Sequence, residues 1–151
     1  MKTIQTVLIL VVVLAPTLLA AKRQPVPQPY VSIQATADEV TSAMLAELMP
    51  NGYTVETSNT HVLMASRQMK GMAGVMGQLV NEDVYGTAPR QVLIFNMNSF
   101  DGKTIVTGSM EAHSQKYGGV SRTPLDGDRQ RRELTEFLMR VKSRAEASHH
   151  N

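Results

Sequence analysis

Methionine residues are the first feature of this sequence whose type and spacing could support chemistry. Met69, Met72 and Met76 recur at intervals of three and four in one short segment, and His61 precedes them. Thioether groups select Cu(I), so these four residues form one candidate metal site. The alternative is that methionine fills gaps in an aromatic-poor core, because the chain has 10 Met, 3 Phe and no Trp. Copper binding is therefore the second interpretation of this segment.

Glycines form another pattern in the same segment, residues 68–90. Gly71, Gly74 and Gly77 occur at every third position. Each costs about 1 kcal/mol against alanine in a helix, so a helix here needs a glycine face that lets another backbone come close. The pattern is not a phosphate-binding loop, because no Lys-Ser/Thr pair follows it. A surface of methionine and glycine is adaptable and apolar, which favours partner binding.

Glu111 and His113 are the residues that most resemble an acid–base pair. They stand two positions apart in a strand-like stretch, so their side chains share a face. A hydrolase also needs an activated nucleophile, but the chain has no cysteine and no G-x-S-x-G motif. We therefore expect a protein that is not an enzyme and needs no cofactor. Glu111 and His113 are then candidates for a partner-binding surface.

The basic residues do not indicate a nucleic-acid partner. Arg129, Arg131 and Arg132 form the densest cluster, but acidic residues are interleaved with them, as on a solvated helix face. The chain has 15 basic and 13 acidic residues, and without Lys2 of the leader the formal charge falls to +1. Bulk charge therefore selects no class of partner.

The chain begins with the layout of a secretory signal peptide. Residues 1–21 combine Lys2, an apolar run and small residues at Ala20 and Ala21. A retained membrane anchor needs about 20 apolar residues, whereas this run is shorter and is broken by Pro16. We expect cleavage after Ala20 or Ala21 and no stable membrane anchor afterwards.

Cysteine is absent from the whole chain, which limits the cellular compartments that the sequence favours. Without cysteine there is no disulfide and no lipid attachment of the bacterial type. Export without disulfides fits a periplasmic or secreted bacterial protein better than a small animal secreted domain. No feature of the sequence specifies an oligomeric state.

The part after the leader is expected to form one domain. Residues 22–30 carry prolines at alternate positions and are predicted to be an extended linker. Residues 31–146 are long enough to bury one core without disulfides. Residues 147–151 are predicted to be a disordered tail.

The elements that must position these residues are organised around residues 91–113. Asp101-Gly102 separates two strand-like runs and indicates a tight hairpin, because both residues tolerate positive φ. The first run is nearly all apolar, which predicts an interior strand. The second run alternates, and Gly108 within it predicts a bulge or a close backbone approach. One face of this second run is predicted to be solvated and carries Thr107, Ser109, Glu111 and His113.

Further elements are predicted on both sides of this hairpin. A strand precedes Thr36, which forms a capping box with Glu39 at the start of a helix. That helix ends before Gly52. The remaining predictions are a hairpin at Ser58-Asn59, a loop over residues 117–124 and a last helix over residues 126–146.

This order of elements resembles the small two-layer α+β domains of exported bacterial envelope proteins, including BamC-like domains. The residues that carry the resemblance are the capped helix 37–49 with Asn51-Gly52-Tyr53, the strand end Ser66-Arg67, the turn Asp101-Gly102, and Leu134, Phe137 and Leu138. The resemblance covers most of the chain after the leader as a pattern, without the cysteine that the lipoprotein members carry. It implies fold more than function.

The sequence thus predicts an α+β domain. Its antiparallel sheet of four to five strands has two main helices packed on one face, and a Met/Gly-rich segment, which could form a further helix, connects two of the strands. The expected function is non-enzymatic binding or scaffolding of a protein or peptide in the cell envelope, on a sheet face or edge. The predicted partner-binding residues are Met69, Met72, Met76, Gly71, Gly74, Gly77, Glu111 and His113.

Overall fold

The computed structural model describes residues 27–69, 89–116 and 119–149. Within these ranges the chain forms an α+β domain with a single antiparallel sheet, as predicted. In chain order the elements are β1 (Tyr30–Ile33), α1 (Ala37–Leu48), β2 (Thr54–Ser58), β3 (Val62–Gln68), β4 (Arg90–Phe100), β5 (Lys103–Lys116), β6 (Gly119–Pro124) and α2 (Asp128–His149).

The sheet is organised around β4 and β5. Its main strand order is β1-β5-β4-β3-β2, and β6 also pairs with β5. The connection between β4 and β5 is the predicted Asp101-Gly102 turn, where φ is 51° and 73°. Positive φ at both residues gives a primed turn, whose twist matches that of the strands. The predicted central hairpin is therefore confirmed, and β4 is an interior strand.

Both helices cover the same face of the sheet, which we call the helix face. α1 begins at the predicted capping box: the Thr36 N–H donates to Glu39 Oε2 (2.8 Å), and the Glu39 N–H donates to Thr36 Oγ1 (3.3 Å). α1 leads into a short 3₁₀ turn and then Gly52, whose φ is 76°. The capping box and the Gly52 terminator each depend on residues close together in the chain, so the sequence alone predicts both.

The core lies between the helices and the helix face of the sheet. Phe95 of β4 stacks on Phe137 of α2 with ring centroids 5.2 Å apart. Around this pair, one continuous cluster joins buried residues of both helices and four strands. Its fully buried members include Ile33, Val40, Met44, Leu48, Leu63, Ala65, Val106, Val141 and Ala145.

The structure differs from the sequence prediction at three element boundaries. The predicted loop over residues 117–124 contains β6, which raises the described strands to six. β1 occupies the edge of β5 only up to Thr107, and β6 supplies partners for its far end, Glu111–Lys116. α2 continues to His149, beyond the predicted end, and Ala145 in its last turns is fully buried. Tyr30, assigned to the linker by sequence, is paired with Thr107 in the sheet.

Gly108 of β5 shows the predicted close approach. A Cβ added at Gly108 would lie 3.1 Å from two carbon atoms of Leu134 on α2. Leu134 is itself only 3% exposed, so its side chain has little space into which it can move. Glycine at this position lets α2 lie directly on the sheet.

Replacement of this glycine is expected to weaken the domain. Gly108→Ala should lower the free energy of unfolding by about 1 kcal/mol or more, because the added methyl group overpacks the contact with Leu134. Urea denaturation measures the change, and Ser109→Ala on the opposite face is the matched control. The loss should shrink when Leu134→Val is added to Gly108→Ala. A Gly108→Ala variant as stable as the parent would contradict the close packing.

Candidate functional site

The face of the sheet opposite the helices, here called the second face, carries the most distinctive surface of the described residues. Strand alternation places Tyr30 of β1, Ile105 of β5 and Phe100 of β4 on it. These side chains are 75%, 45% and 78% exposed. The pairing register makes Ile105 the diagonal neighbour of both Tyr30 and Phe100, and diagonal neighbours are about 7–8 Å apart, which is within reach of large side chains. We call these three residues the apolar row.

Polar side chains surround the apolar row on the same face. Ser32 and Asn98 lie opposite Ile105, Asn96 lies opposite Thr107, and Lys103 lies opposite Phe100. Ser32, Asn96, Asn98 and Lys103 are all exposed. An exposed apolar centre with a polar rim is typical of a protein-binding surface.

Glu111 and His113 lie on the other half of the second face. The structure brings them together, with His113 Nε2 and Glu111 Oε2 2.7 Å apart. Their side chains are only 26% and 17% exposed, so the predicted solvated face is here half-buried. His113 has Arg90 of β4 opposite it on one side and Arg122 of β6 on the other.

Burial separates the two halves of the second face. Val92 lies opposite Glu111 and is 1% exposed, although it does not belong to the core cluster. Ser66, opposite Val92, is equally buried and donates its hydroxyl hydrogen to Glu56 Oε1, which also pairs with Arg90 Nη1 at 3.5 Å. The apolar row is the half that exposes aromatic surface to a partner.

Most of the predicted methionine–glycine site lies outside the described residues. This applies to Met72, Met76, Gly71, Gly74 and Gly77. Met69 is described and half-buried, and its backbone N–H donates to the Pro89 carbonyl oxygen at 3.0 Å. Partner binding by these residues stays a prediction.

The structure separates the proposed copper ligands that it describes. His61 precedes the first residue of β3 and Met69 follows the last, so the strand holds them about 26 Å apart. One metal ion cannot bind both side chains at this distance. Among the described residues there is also no group of three or more His, Asp or Glu side chains that could hold a metal.

A network of polar side chains lines a cleft of about 150 Å³ on the helix face. Gln91 Oε1 accepts bonds from Tyr53 Oη (3.0 Å) and Arg67 Nε (2.8 Å). The Arg67 guanidinium also lies 4.5 Å from the centre of the Tyr53 ring. Burial raises the pKa of the Tyr53 phenol, against the opposing charge of Arg67. The polar groups of Tyr53, Arg67 and Gln91 are hydrogen-bonded to one another, which indicates a structural network rather than a ligand site.

A larger cavity, of about 220 Å³, lies where β1 and β6 approach each other along β5. Gly108, Leu125 and Leu134 line it together with polar residues of α2. Arg131 on its wall forms an ion pair with Asp128, so its charge is already compensated. The other charged residues that line this cavity are Glu111 of β5 and Asp126.

Sequence reasoning missed the apolar row. Tyr30 had been placed in the linker, and Ile105 and Phe100 were not assigned to any site. One signal was available: Ile105 is an apolar residue among the polar positions of the alternating β5 stretch. Phe100, next to the turn, carried no such signal.

Comparison with known proteins adds no assignment, since no family model and no curated protein matches the chain. The helices that the structure describes include none that is both long and apolar enough to cross a membrane.

The separation of His61 from Met69 has a direct test. His61→Ala should leave unchanged the share of Cu(I) affinity that Met69→Leu removes, because His61 and Met69 lie too far apart to bind one metal ion. Competition with a chromophoric Cu(I) chelator measures the affinity, and Met69→Leu with Met72→Leu and Met76→Leu is the comparison. A Met69→Leu effect that disappears when His61→Ala is also present would contradict the separation.

The raised pKa of Tyr53 predicts a pH dependence of stability. The folded state favours the neutral phenol, and the unfolded phenol ionises near pH 10. The contribution of the neutral Tyr53 phenol to the free energy of unfolding is therefore complete below about pH 10, and it is lost as pH rises through the pKa of the folded state. Between about pH 8 and about pH 11, Tyr53→Phe should lose less unfolding free energy than the parent. Identical losses in urea denaturation would contradict this prediction.

Proposed function

We propose that this chain is an exported, non-enzymatic protein that binds a protein or peptide partner of the bacterial cell envelope on the second face of its sheet. The observation that carries the proposal is the exposure of the apolar row. Two aromatic side chains and an isoleucine stand in water on a face that no described helix covers. Export is supported by the leader-like residues 1–21.

The apolar row has the properties of an interface centre. Phe100 is 78% exposed and Tyr30 is 75% exposed. A partner that covers these two side chains therefore removes a large apolar area from water. Aromatic residues dominate binding energy when a rim of polar groups excludes water around them. Here Asn96, Asn98 and Lys103 supply that rim.

The half-buried pair Glu111–His113 supports binding better than catalysis. A hydrolytic site needs a nucleophile within hydrogen-bond reach of the histidine. The second face places Arg90 and Arg122 directly beside His113, and neither is a nucleophile. Among the described residues, the recorded side-chain partner of His113 is Glu111. The pair therefore stabilises the face beside the apolar row.

Capture from the native envelope tests the proposal. The protein, expressed with its own leader and crosslinked in cells, should recover one dominant partner. Phe100→Ser combined with Tyr30→Ser should lower that yield about fivefold or more, because aromatic anchors contribute about 1–2 kcal/mol or more each.

Met139→Ser is the matched control for this experiment. Met139 is 55% exposed but belongs to α2, away from the second face. The control variant should capture the partner as well as the parent does. Equal loss in both variants, or no partner at all, would refute the proposed function.

A further inference from the structure

The edges of the sheet differ in how their outward backbone groups are protected. An edge strand presents unpaired N–H and C=O groups, and native proteins cover or interrupt such edges unless they use them. Three described strands, β1, β2 and β6, lie at edges. Each has one neighbour in the sheet.

α2 covers the β1 edge. Lys142 Nζ donates to the Ser32 carbonyl oxygen at 3.0 Å, and the Gln34 N–H donates to Glu146 Oε1 at 3.0 Å. Lys142 and Glu146 are themselves 3.7 Å apart. The outward carbonyl oxygen of Ser32 and the outward N–H of Gln34 are thus already hydrogen-bonded to α2. Few backbone groups of this edge remain for a partner strand to bond.

The β2 edge is interrupted. Its register with β3 shifts between Val55 and Thr57, which is the mark of a bulge. Glu56 at the bulge is charged and already bonded to Ser66 and Arg90. A bulge and a charge on a short strand are standard protection against strand addition.

Within the part of the chain that the structure describes, β6 has neither kind of protection. The Leu125 N–H donates to the Met110 carbonyl oxygen at 2.8 Å, which sets the alternation of the β5–β6 ladder. Odd-numbered residues of β6 therefore bond β5, and the N–H and C=O groups of Val120 and Arg122 point outward. No recorded side-chain bond reaches these groups from the described residues, and both residues are exposed.

The charge of β6 specifies what would pair with it. Arg122 is its one charged residue, so the strand itself supplies no carboxylate to neutralise this arginine. Arg122 lies opposite His113, which lies opposite Arg90, in one row across three strands. A strand added beside β6 places one residue opposite Arg122, where a carboxylate is favoured and a lysine is disfavoured.

We propose that β6 accepts an extended partner segment with a glutamate or aspartate opposite Arg122, which adds a strand to the sheet. This inference rests on the proposed function and names the edge by which the partner is held. Val120 and Arg122 each offer the segment one donor and one acceptor. Pro124, which lacks an N–H, offers only its carbonyl oxygen and so marks one end of the ladder.

A peptide titration tests the edge directly. The ¹⁵N-labelled protein is titrated with a capped peptide of alternating threonine and valine that has a central glutamate, and with its glutamine and lysine counterparts. The glutamate peptide should shift the Val120 and Arg122 amides and bind about two- to fivefold tighter than the glutamine peptide. The lysine peptide should bind most weakly.

Two variants of Arg122 separate the backbone from the charge. Arg122→Pro blocks the outward N–H but spares the β5 ladder, so it should abolish binding of all three peptides while the fold is retained. Arg122→Glu keeps the edge and should reverse the preference between the glutamate and lysine peptides. Ser32→Pro, an outward position on the covered β1 edge, is the matched control and should bind as the parent does.

Three outcomes would overturn the inference. They are the absence of β6 shifts with any peptide at millimolar concentration, binding that survives Arg122→Pro, and a dimer in analytical ultracentrifugation that Arg122→Pro dissociates. The last result would assign the edge to a second copy of this chain. If envelope capture fails in Phe100→Ser but persists in Arg122→Pro, the proposed function stands and the edge inference alone falls.

Discussion

The antiparallel ladder between β4 and β5 is the interaction on which the rest of the domain depends. It begins at the Asp101-Gly102 turn, where positive φ at both residues sets the register of the two longest strands. That register places Phe95 and Gly108 opposite each other on the helix face. Phe95 stacks on α2 and Gly108 makes room for it, so a shift of one residue would reverse both faces of the sheet.

The same register divides the second face into two chemically different halves. Near the turn it gathers Tyr30, Ile105 and Phe100 into an exposed apolar stripe. At the other end it sets Glu111 and His113 between two arginines and beside the buried Val92. In this polar half Glu111 bonds His113 and Glu56 pairs with Arg90, whereas the apolar half exposes aromatic surface to water. Binding energy is therefore available mainly from the apolar half.

The length of β5 explains why the sheet has edges of unequal protection. β5 extends beyond the reach of β1, and a second strand, β6, pairs with the rest of it. α2 crosses near β1 and bonds its outward backbone groups through Lys142 and Glu146. β6 precedes that helix in the chain, and no recorded bond from a described α2 side chain reaches it. Coverage at one end of β5 and exposure at the other thus follow from the path of one helix.

The fold class, the central hairpin and the capped first helix could be predicted from the sequence, which also limited Gly108 to a bulge or a close backbone approach. Each depends on residues near one another in the chain: a turn dipeptide, a capping box, or a glycine in an alternating strand. The pairing of distant strands was needed to show that residues 119–124 form a strand, that His61 and Met69 lie far apart, and that Tyr30, Ile105 and Phe100 share one face in a diagonal row. Those features depend on pairing between distant segments. Local propensity is weak for a short, polar edge strand, and exposure is defined only once neighbours are in place.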